Sequence, residues 1–413
     1  MTDPDVFIIG GGAAGVAAAV AAANTGMRVV LLEKNAFLGG KATAAYVGTI
    51  CGLYYRSETH DPQYVTNGFP RIFAEKLQTL SQTKPISYKN GLHFLPYDQV
   101  AFLHLCDDLM QQNNINVYLH AQLTQITTAE NSIRKASALI HNSPITFHPK
   151  VVIDTTGEST VSNFAGLDII QAETYQAAAQ IFTLAGIETD DEATLHLSLL
   201  HTIRKGIDAG LYSKKNEMLS IVPGSLKSGR AVFKLGLQME VDNNPAQITL
   251  LEISARKAVM EIVRYLNNRH AFFKNAALGM IAPEVGIRTG PRNVGKAILQ
   301  KEDVMGCRKV KDTIARGAWP IEFWEPGKKL RLEYFPLNDY YDIPGRALQS
   351  ATIPNLFFAG RNLSASDEAI ASARVIGTCL ATGYAAGYLA AGYIKHESYE
   401  STTRAIQRQF LIE

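Results

Sequence analysis

The chain has 413 residues, of which 46% are hydrophobic and 19% charged, and its formal net charge is +2. That balance fits a globular enzyme of two lobes and excludes a disordered chain, while a charge so near zero gives no reason to expect nucleic acid or an anionic membrane as partner. The four cysteines, Cys51, Cys106, Cys307 and Cys379, stand far apart with no C-x-x-C pair; this argues against a zinc site or a thioredoxin-like dithiol and suits a reducing, cytoplasmic setting without structural disulfides, and no metal site is expected.

Taken in order, Asp5–Ile9 (DVFII) reads as a buried parallel strand closed by three glycines, and Ala13–Thr25 as an alanine-rich helix with Gly26 at its C-terminal stop. Arg28–Leu32 is a second strand, so the first thirty-odd residues form one βαβ unit. The next stretch, 37–66, rich in Gly, Ala, Tyr and Thr, reads as loop. Helices are expected over 70–80 and 98–113, a small antiparallel meander over 116–127 and 132–147, and a buried strand at Val151–Ile153.

From about Gln171 to Gly345, strand-like pieces (177–184 and 231–239) alternate with longer helices (193–209 and 246–268), and no second G-x-G-x-x-G opens a helix. The tail returns to the opening pattern: strand Leu356–Ala359, turn Gly360-Arg361, then a long small-residue helix to Ile394. Val6–Met27 and Val375–Ile394 are uncharged and nearly long enough to span a bilayer. Their Ala and Gly content suits tightly packed interior helices, and the first lacks the basic start of a signal peptide, so no membrane span is expected.

Gly10-x-Gly12-x-x-Gly15 fills the fingerprint of a dinucleotide cradle. The first glycine permits the tight turn, the second lets backbone approach a pyrophosphate, and the third lets helix and strand pack; the helix N-terminus supplies N–H groups and a positive dipole end. Glu33, 18 residues after Gly15 at the end of the second strand, is placed to accept ribose hydroxyls and repels a 2′-phosphate, which disfavours NADP. The cradle by itself leaves FAD and NAD open.

The series GGGAAG…EK…LGGKAT, VIDTTGES, GIRTGPR and IPNLFFAGRNLSASDEAIASARVIGTCLATGYAAG resembles the FAD-dependent oxidoreductase family related to fumarate-reductase-like flavoproteins. The likeness is spread over most of the chain and thins between about 171 and 275. It implies FAD, held non-covalently, on an α/β fold: a Rossmann-like FAD-binding domain (parallel sheet plus small antiparallel meander) over 1–170 and 346–413, with an inserted α+β substrate domain over 171–345.

On these positions the resemblance implies that Gly10, Gly12, Ala13, Ala14 and Gly15 hold the pyrophosphate, and Glu33 with Lys34 the adenosine ribose. Gly40, Lys41, Ala42 and Thr43 line the flavin side of the loop, and Leu123 offers its backbone to adenine. Thr156 and Gly157 pack at the ribose and phosphate turn, and Gly360 and Arg361 meet the pyrophosphate and ribityl chain. Wider relatives often carry an acid after that last glycine; Arg361 stands there instead, which suits charge pairing with phosphate. Backbone N–H groups of Ile376, Gly377 and Thr378 are expected at the flavin's pyrimidine edge, where a helix N-terminus steadies negative charge; alternatively Gly377, Gly383 and Gly387 only permit close helix packing.

For the substrate, Arg288 and Arg292, four apart in a Gly- and Pro-interrupted segment, are candidates to clamp a small anionic molecule in the interlobe cleft; the alternative is that they tie the lobes together or touch FAD phosphates. His93 is a candidate general base or else a satisfied strand histidine. Cys51 reads as a buried thiol near the ring, and Tyr54, Tyr55, Tyr340, Tyr341 and Trp324 as candidate walls.

The function expected is oxidation or reduction of a small organic substrate by hydride transfer at flavin N5, with oxygen, a quinone or a protein as electron partner. The competing readings are an electron-transfer subunit acting within a complex, and an NAD-dependent dehydrogenase, which a yellow purified protein would eliminate.

Overall fold

A computed structural model gives the fold and describes residues 3–411, apart from His60, Thr174, Glu240, Asp242, Asn243 and Lys329. The first βαβ unit is β1 (Val6–Ile9), α1 (Ala13–Asn24) and β2 (Val29–Leu32). After two helices, Phe69–Ser81 and Gln99–Gln112, come β3 (Asn116–Tyr118), a meander of β4 (Ala121–Ala129), β5 (Ser132–Ile140) and β6 (Ser143–Phe147), and then β7 (Val151–Asp154). The second lobe contains β8 (Ala179–Ala185), α2 (Glu192–Asp208), β9 (Leu219–Ile221), β10 (Arg230–Gly236), α3 (Pro245–Arg269) and β11 (Ala277–Ile281). The chain returns with β12 (Leu356–Phe358) and α4 (Ile376–Ile394).

The central sheet runs β12-β7-β1-β2-β3, and all its pairings are parallel. Every residue of β1, β2 and β7 is buried because both faces are covered. Val6, Ile8, Leu31 and Ile153 share one core with α1 and α4, whereas Phe7, Ile9, Val30 and Val152 share another with the meander residues Leu123, Ile133 and Phe147. The architecture is the α/β one expected, with one shift inside 116–127. Asn116–Tyr118 joins the parallel sheet beside β2, and the meander starts only at Ala121. A positive-φ residue, His120 (φ +51°), separates the two, a break that strand composition does not announce.

Helices α1 and α4 are apolar nearly all round, as core helices are. They touch along glycines: a Cβ at Gly383 would lie 2.1 Å from the Ala14 carbonyl oxygen, and one at Gly387 2.4 Å from that of Ala18. The close-packing reading of these two glycines therefore accounts for them. Gly383→Ala is expected to lower the unfolding free energy by about 3 kcal/mol, the cost of forcing two backbones apart; equilibrium urea unfolding checks this. Among the described residues no single helix is long and apolar enough to cross a membrane; Asp367–Ala373 and α4 reach that composition only together, and they are bent by 95°.

In the second lobe an antiparallel sheet, ordered β9-β10-β8-β11, carries α2 and α3 on one face. Asp191 caps α2 by accepting from the Ala193 and Thr194 N–H groups, and Asn244 caps α3 ahead of Pro245. Strand β10 alternates: Ala231, Phe233 and Leu235 are buried in the core with Phe182 and Phe273, while Val232 and Lys234 fall on the opposite face. Ile181 and Ser220 are the register neighbours of Lys234 on the adjoining strands. This second core spans Ala178–Val285, whereas Ile314, Ala315, Tyr341 and Ile343 pack in the core of the first lobe.

Candidate functional site

A single continuous cleft of about 1010 Å³ runs from the glycine turn after β1 to the inner face of the second-lobe sheet. The glycines of the turn divide the work as their geometry dictates. Gly10 has φ +103° and would put a Cβ 2.6 Å from the Thr155 carbonyl oxygen; one at Gly15 would fall 1.9 Å from that of Gly10. Both are demanded by the fold itself. Gly12 differs: its backbone is ordinary extended (φ −71°, ψ −178°), and the nearest atom to a Cβ there is the Gly40 Cα at 3.8 Å. Space is left open above Gly12, as a pyrophosphate cradle requires.

Gly10, Gly12, Ala13, Ala14, Glu33, Lys34, Gly40, Lys41 and Ala42 line this outer part of the cleft, facing Thr156, Gly157, Gly360 and Arg361. Glu33 accepts from the Gly11 N–H at 2.7 Å and the Asn35 N–H at 2.9 Å, one on each carboxylate oxygen. Each oxygen keeps a free lone pair for a hydroxyl. Burial raises its pKa, only partly offset by those two N–H groups. Lys41 is not free: it pairs with Glu284 at 2.6 Å, and Asn35 Nδ2 donates to the same carboxylate at 3.1 Å. Burial alone would raise the Glu284 pKa, but Lys41 holds it below the ordinary range. Arg361 is likewise engaged, by Glu158 and the Ile287 carbonyl. Glu158 lines the same wall of the cleft as Arg361.

Other expected residues stand off the cleft. Thr43 uses its hydroxyl on the Leu38 carbonyl at 2.6 Å. Leu123 is 5% exposed in the core beneath the meander, opposite Ala138 in the β4–β5 pair. Ile376 reaches the cleft, but the Gly377 N–H donates to the Cys51 carbonyl at 3.0 Å and so is spent. Thr378 is buried with its hydroxyl unpartnered among the described residues. His93 is buried too, bonded through Nε2 to Ser57 and through Nδ1 to the Ser87 hydroxyl, and it does not line the cleft. Arg292 binds the Ala365 and Gly290 carbonyls and Asp367, which ties its segment to the Asp367–Ala373 helix rather than facing the cleft.

The inner end is built around Arg288 and three side chains the sequence reading did not single out: Lys234, Glu322 and Arg374. The Lys234 ammonium lies 4.8 Å from the Trp324 ring centre and the Arg288 guanidinium 4.9 Å from it. Glu322 accepts from both indoles, Trp324 Nε1 at 2.7 Å and Trp319 Nε1 at 2.8 Å. Arg288 also donates to the Ala177 carbonyl, and Arg374 to Gln176 Oε1 at 3.2 Å and the Glu322 carbonyl at 3.4 Å.

Burial depresses all three cations, Arg288 to about 10, with Arg374 adding to the effect on Arg288 and Arg288 to that on Lys234. Burial alone would raise Glu322, but Arg374 and Lys234 outweigh it and keep the carboxyl below its usual value. The Cys51 thiol lines the chamber, pushed up to about 12 by burial and then Glu322, so it stays protonated at neutral pH. Of the candidate aromatic walls, Trp324 is in place, while Tyr54, Tyr55, Tyr340 and Tyr341 lie outside the lining. Lys234 was detectable as a lone lysine in an otherwise apolar β-run, AVFKLG; nothing local marks Glu322.

A family model described as FAD dependent oxidoreductase matches residues 5–409. The chain is 25% identical over 167 residues to the mitochondrial dihydrolipoyl dehydrogenase of Canis lupus familiaris, 38% of this chain and 32% of that protein. It is 22% identical over 227 residues to digeranylgeranylglycerophospholipid reductase 1 of Methanococcoides burtonii, 54% of this chain and 55% of that protein. The matches thus span about a third and just over half the length of these curated relatives. The solved structure of BexE, described with oxidation during BE-7585A biosynthesis, superposes with a TM-score of 0.50 at 11% identity, covering 99% of this chain and 70% of that one; at that identity the likeness concerns the fold.

Proposed function

The chain belongs to the FAD dependent oxidoreductase family, and on that premise we propose that it transfers a hydride between a small organic substrate and the flavin of a single bound FAD. FAD is its cofactor. The observation that carries the reading is that one cleft joins the open cradle above Gly12 to the charged chamber around Arg288. A dinucleotide held at the first would extend along the cleft toward the second.

In this reading the α1 N-terminus and Gly12 receive the pyrophosphate, and Glu33 uses its free lone pairs on ribose hydroxyls. Glu158, held by Arg361, is the acceptor for the cofactor's hydroxyl chain. When bound, the flavin supplies the hydride-accepting or hydride-donating atom, N5. The protein's part is to position and to exclude water. The Trp319 and Trp324 rings, fixed by Glu322, wall the chamber, and Arg288 holds the substrate against them. The substrate lobe is the unit around the Ala178–Val285 core, which presents Ile181, Ser220 and Lys234 to the cleft.

Anaerobic reduction of the purified yellow protein, followed by candidate oxidants and substrates, tests the proposal. A flavin that at least one small molecule reduces or reoxidises is expected. One that responds only to a protein partner would replace this reading with that of an electron-transfer subunit.

A further inference from the structure

The inner chamber holds more positive charge than the protein neutralises. Lys234, Arg288 and Arg374 face one carboxylate, Glu322, and that carboxylate is already accepting two indole N–H bonds. Among the described residues none of the three cations has a carboxylate oxygen within ion-pairing distance. Among the described residues the Nε–H of Arg374 is also buried and lacks a partner. Unpaired cations and unmet donors are costly in a closed protein site, and an anionic ligand relieves that cost.

The other wall of the chamber is apolar. Leu92, Phe94, Trp319 and Val375 form a hydrophobic cluster of their own, with Cys51 packed against it, and all five line the cleft. A ligand filling the chamber therefore meets cations on one side and a continuous apolar surface on the other. Its charge follows from counting. Glu322 offsets one of three cations, leaving two. Arg374 stands just before α4, whose first residue Ile376 lines the cleft, and in the cofactor reading it would be taken up by the negative charge of the reduced pyrimidine end. One positive charge remains for the ligand.

Resting on the cofactor reading above, we propose that the substrate is a monocarboxylate with an extended apolar or aromatic body. Its carboxylate sits on Lys234 and Arg288, and its body lies against Trp319, Leu92, Phe94 and Val375. This is a charge-assisted seat on two cations held against one indole ring.

The test titrates the FAD-loaded protein with octanoate, octanamide and succinate and reads the perturbation of the flavin absorbance, which needs no turnover. Octanoate is expected to shift the spectrum saturably, with octanamide and succinate binding at least tenfold more weakly. Lys234→Met is expected to stay yellow and to bind octanoate at least tenfold more weakly. Lys234→Gln is read in parallel as a polar replacement, and the ligand series on the native protein stands apart from either variant. A yellow protein blind to octanoate, an amide or succinate that binds as well as octanoate, or an unchanged octanoate affinity in the yellow lysine variants overturns the inference. A protein that cannot be loaded with FAD at all overturns the cofactor reading, and this inference with it.

Discussion

Gly12→Val is expected to give a folded, colourless protein. The backbone at Gly12 is extended, with φ −71°, a conformation that a β-branched residue adopts without strain. A Cβ there meets no protein atom closer than the Gly40 Cα at 3.8 Å, so the fold has room for the first carbon. The branched methyls then occupy the space through which a pyrophosphate must approach the α1 N-terminus. Retention of FAD is expected to fall about a hundredfold or more, roughly 3 kcal/mol. The 450 nm absorbance of the purified variant and its far-ultraviolet circular dichroism, measured together, check this: native dichroism without flavin is the expected pair. Full FAD occupancy would place the pyrophosphate elsewhere. Gly10→Val would be uninformative, because positive φ and the Thr155 carbonyl at 2.6 Å tie Gly10 to folding.

Arg288→Ala is expected to leave the protein yellow and to impair turnover. Arg288 touches the Trp324 ring and the Ala177 carbonyl and lies beyond the cradle that retains the cofactor. Removing one side of a desolvated charge-assisted contact costs about 2–5 kcal/mol, or about thirty- to several-thousandfold in kcat/KM. Steady-state kinetics with a substrate found in the oxidation screen gives the number, and Arg288→Lys separates charge from shape: a lysine restores the charge without the planar stacking on Trp324. Loss of flavin from Arg288→Ala would move this residue to the cofactor's side. Arg292→Ala makes the contrast. That side chain is 1% exposed and bonded to Asp367, Ala365 and Gly290, so its loss is expected to lower stability first, by about 3 kcal/mol, as read by thermal unfolding. Two arginines four apart in sequence thus end in different jobs.

The cradle was legible in the sequence because every part of it is local. Strand, turn, helix and second strand lie within Val6–Glu33, and the glycine spacing, the apolar runs and the acid each act through backbone geometry that neighbouring residues impose. The α1–α4 contact was half legible: the small residues announced close packing, but only the fold paired Gly383 with Ala14 and Gly387 with Ala18. Where a reading needed the direction of a side chain or an N–H group, the sequence left alternatives open. His93 and Arg292 turned out to be satisfied inside the structure, and the Gly377 N–H was taken by Cys51.

The charged chamber belongs to the tertiary structure alone. Lys234 reaches it from the open face of β10, Arg288 from the segment after β11, Glu322 from a short strand at Ile321–Phe323, and Arg374 from the turn before α4. No spacing rule links these positions, since their meeting depends on the register of β10 against β8 and β9 and on how the second lobe sits over the first. The sequence by itself determined a dinucleotide cradle on a parallel sheet, because hydrogen bonding and glycine sterics over a few adjacent residues suffice for it. Which charges line the inner chamber was decided by the packing of the two lobes, because a side chain's partners are set by the surfaces that fold against it and not by its neighbours along the chain.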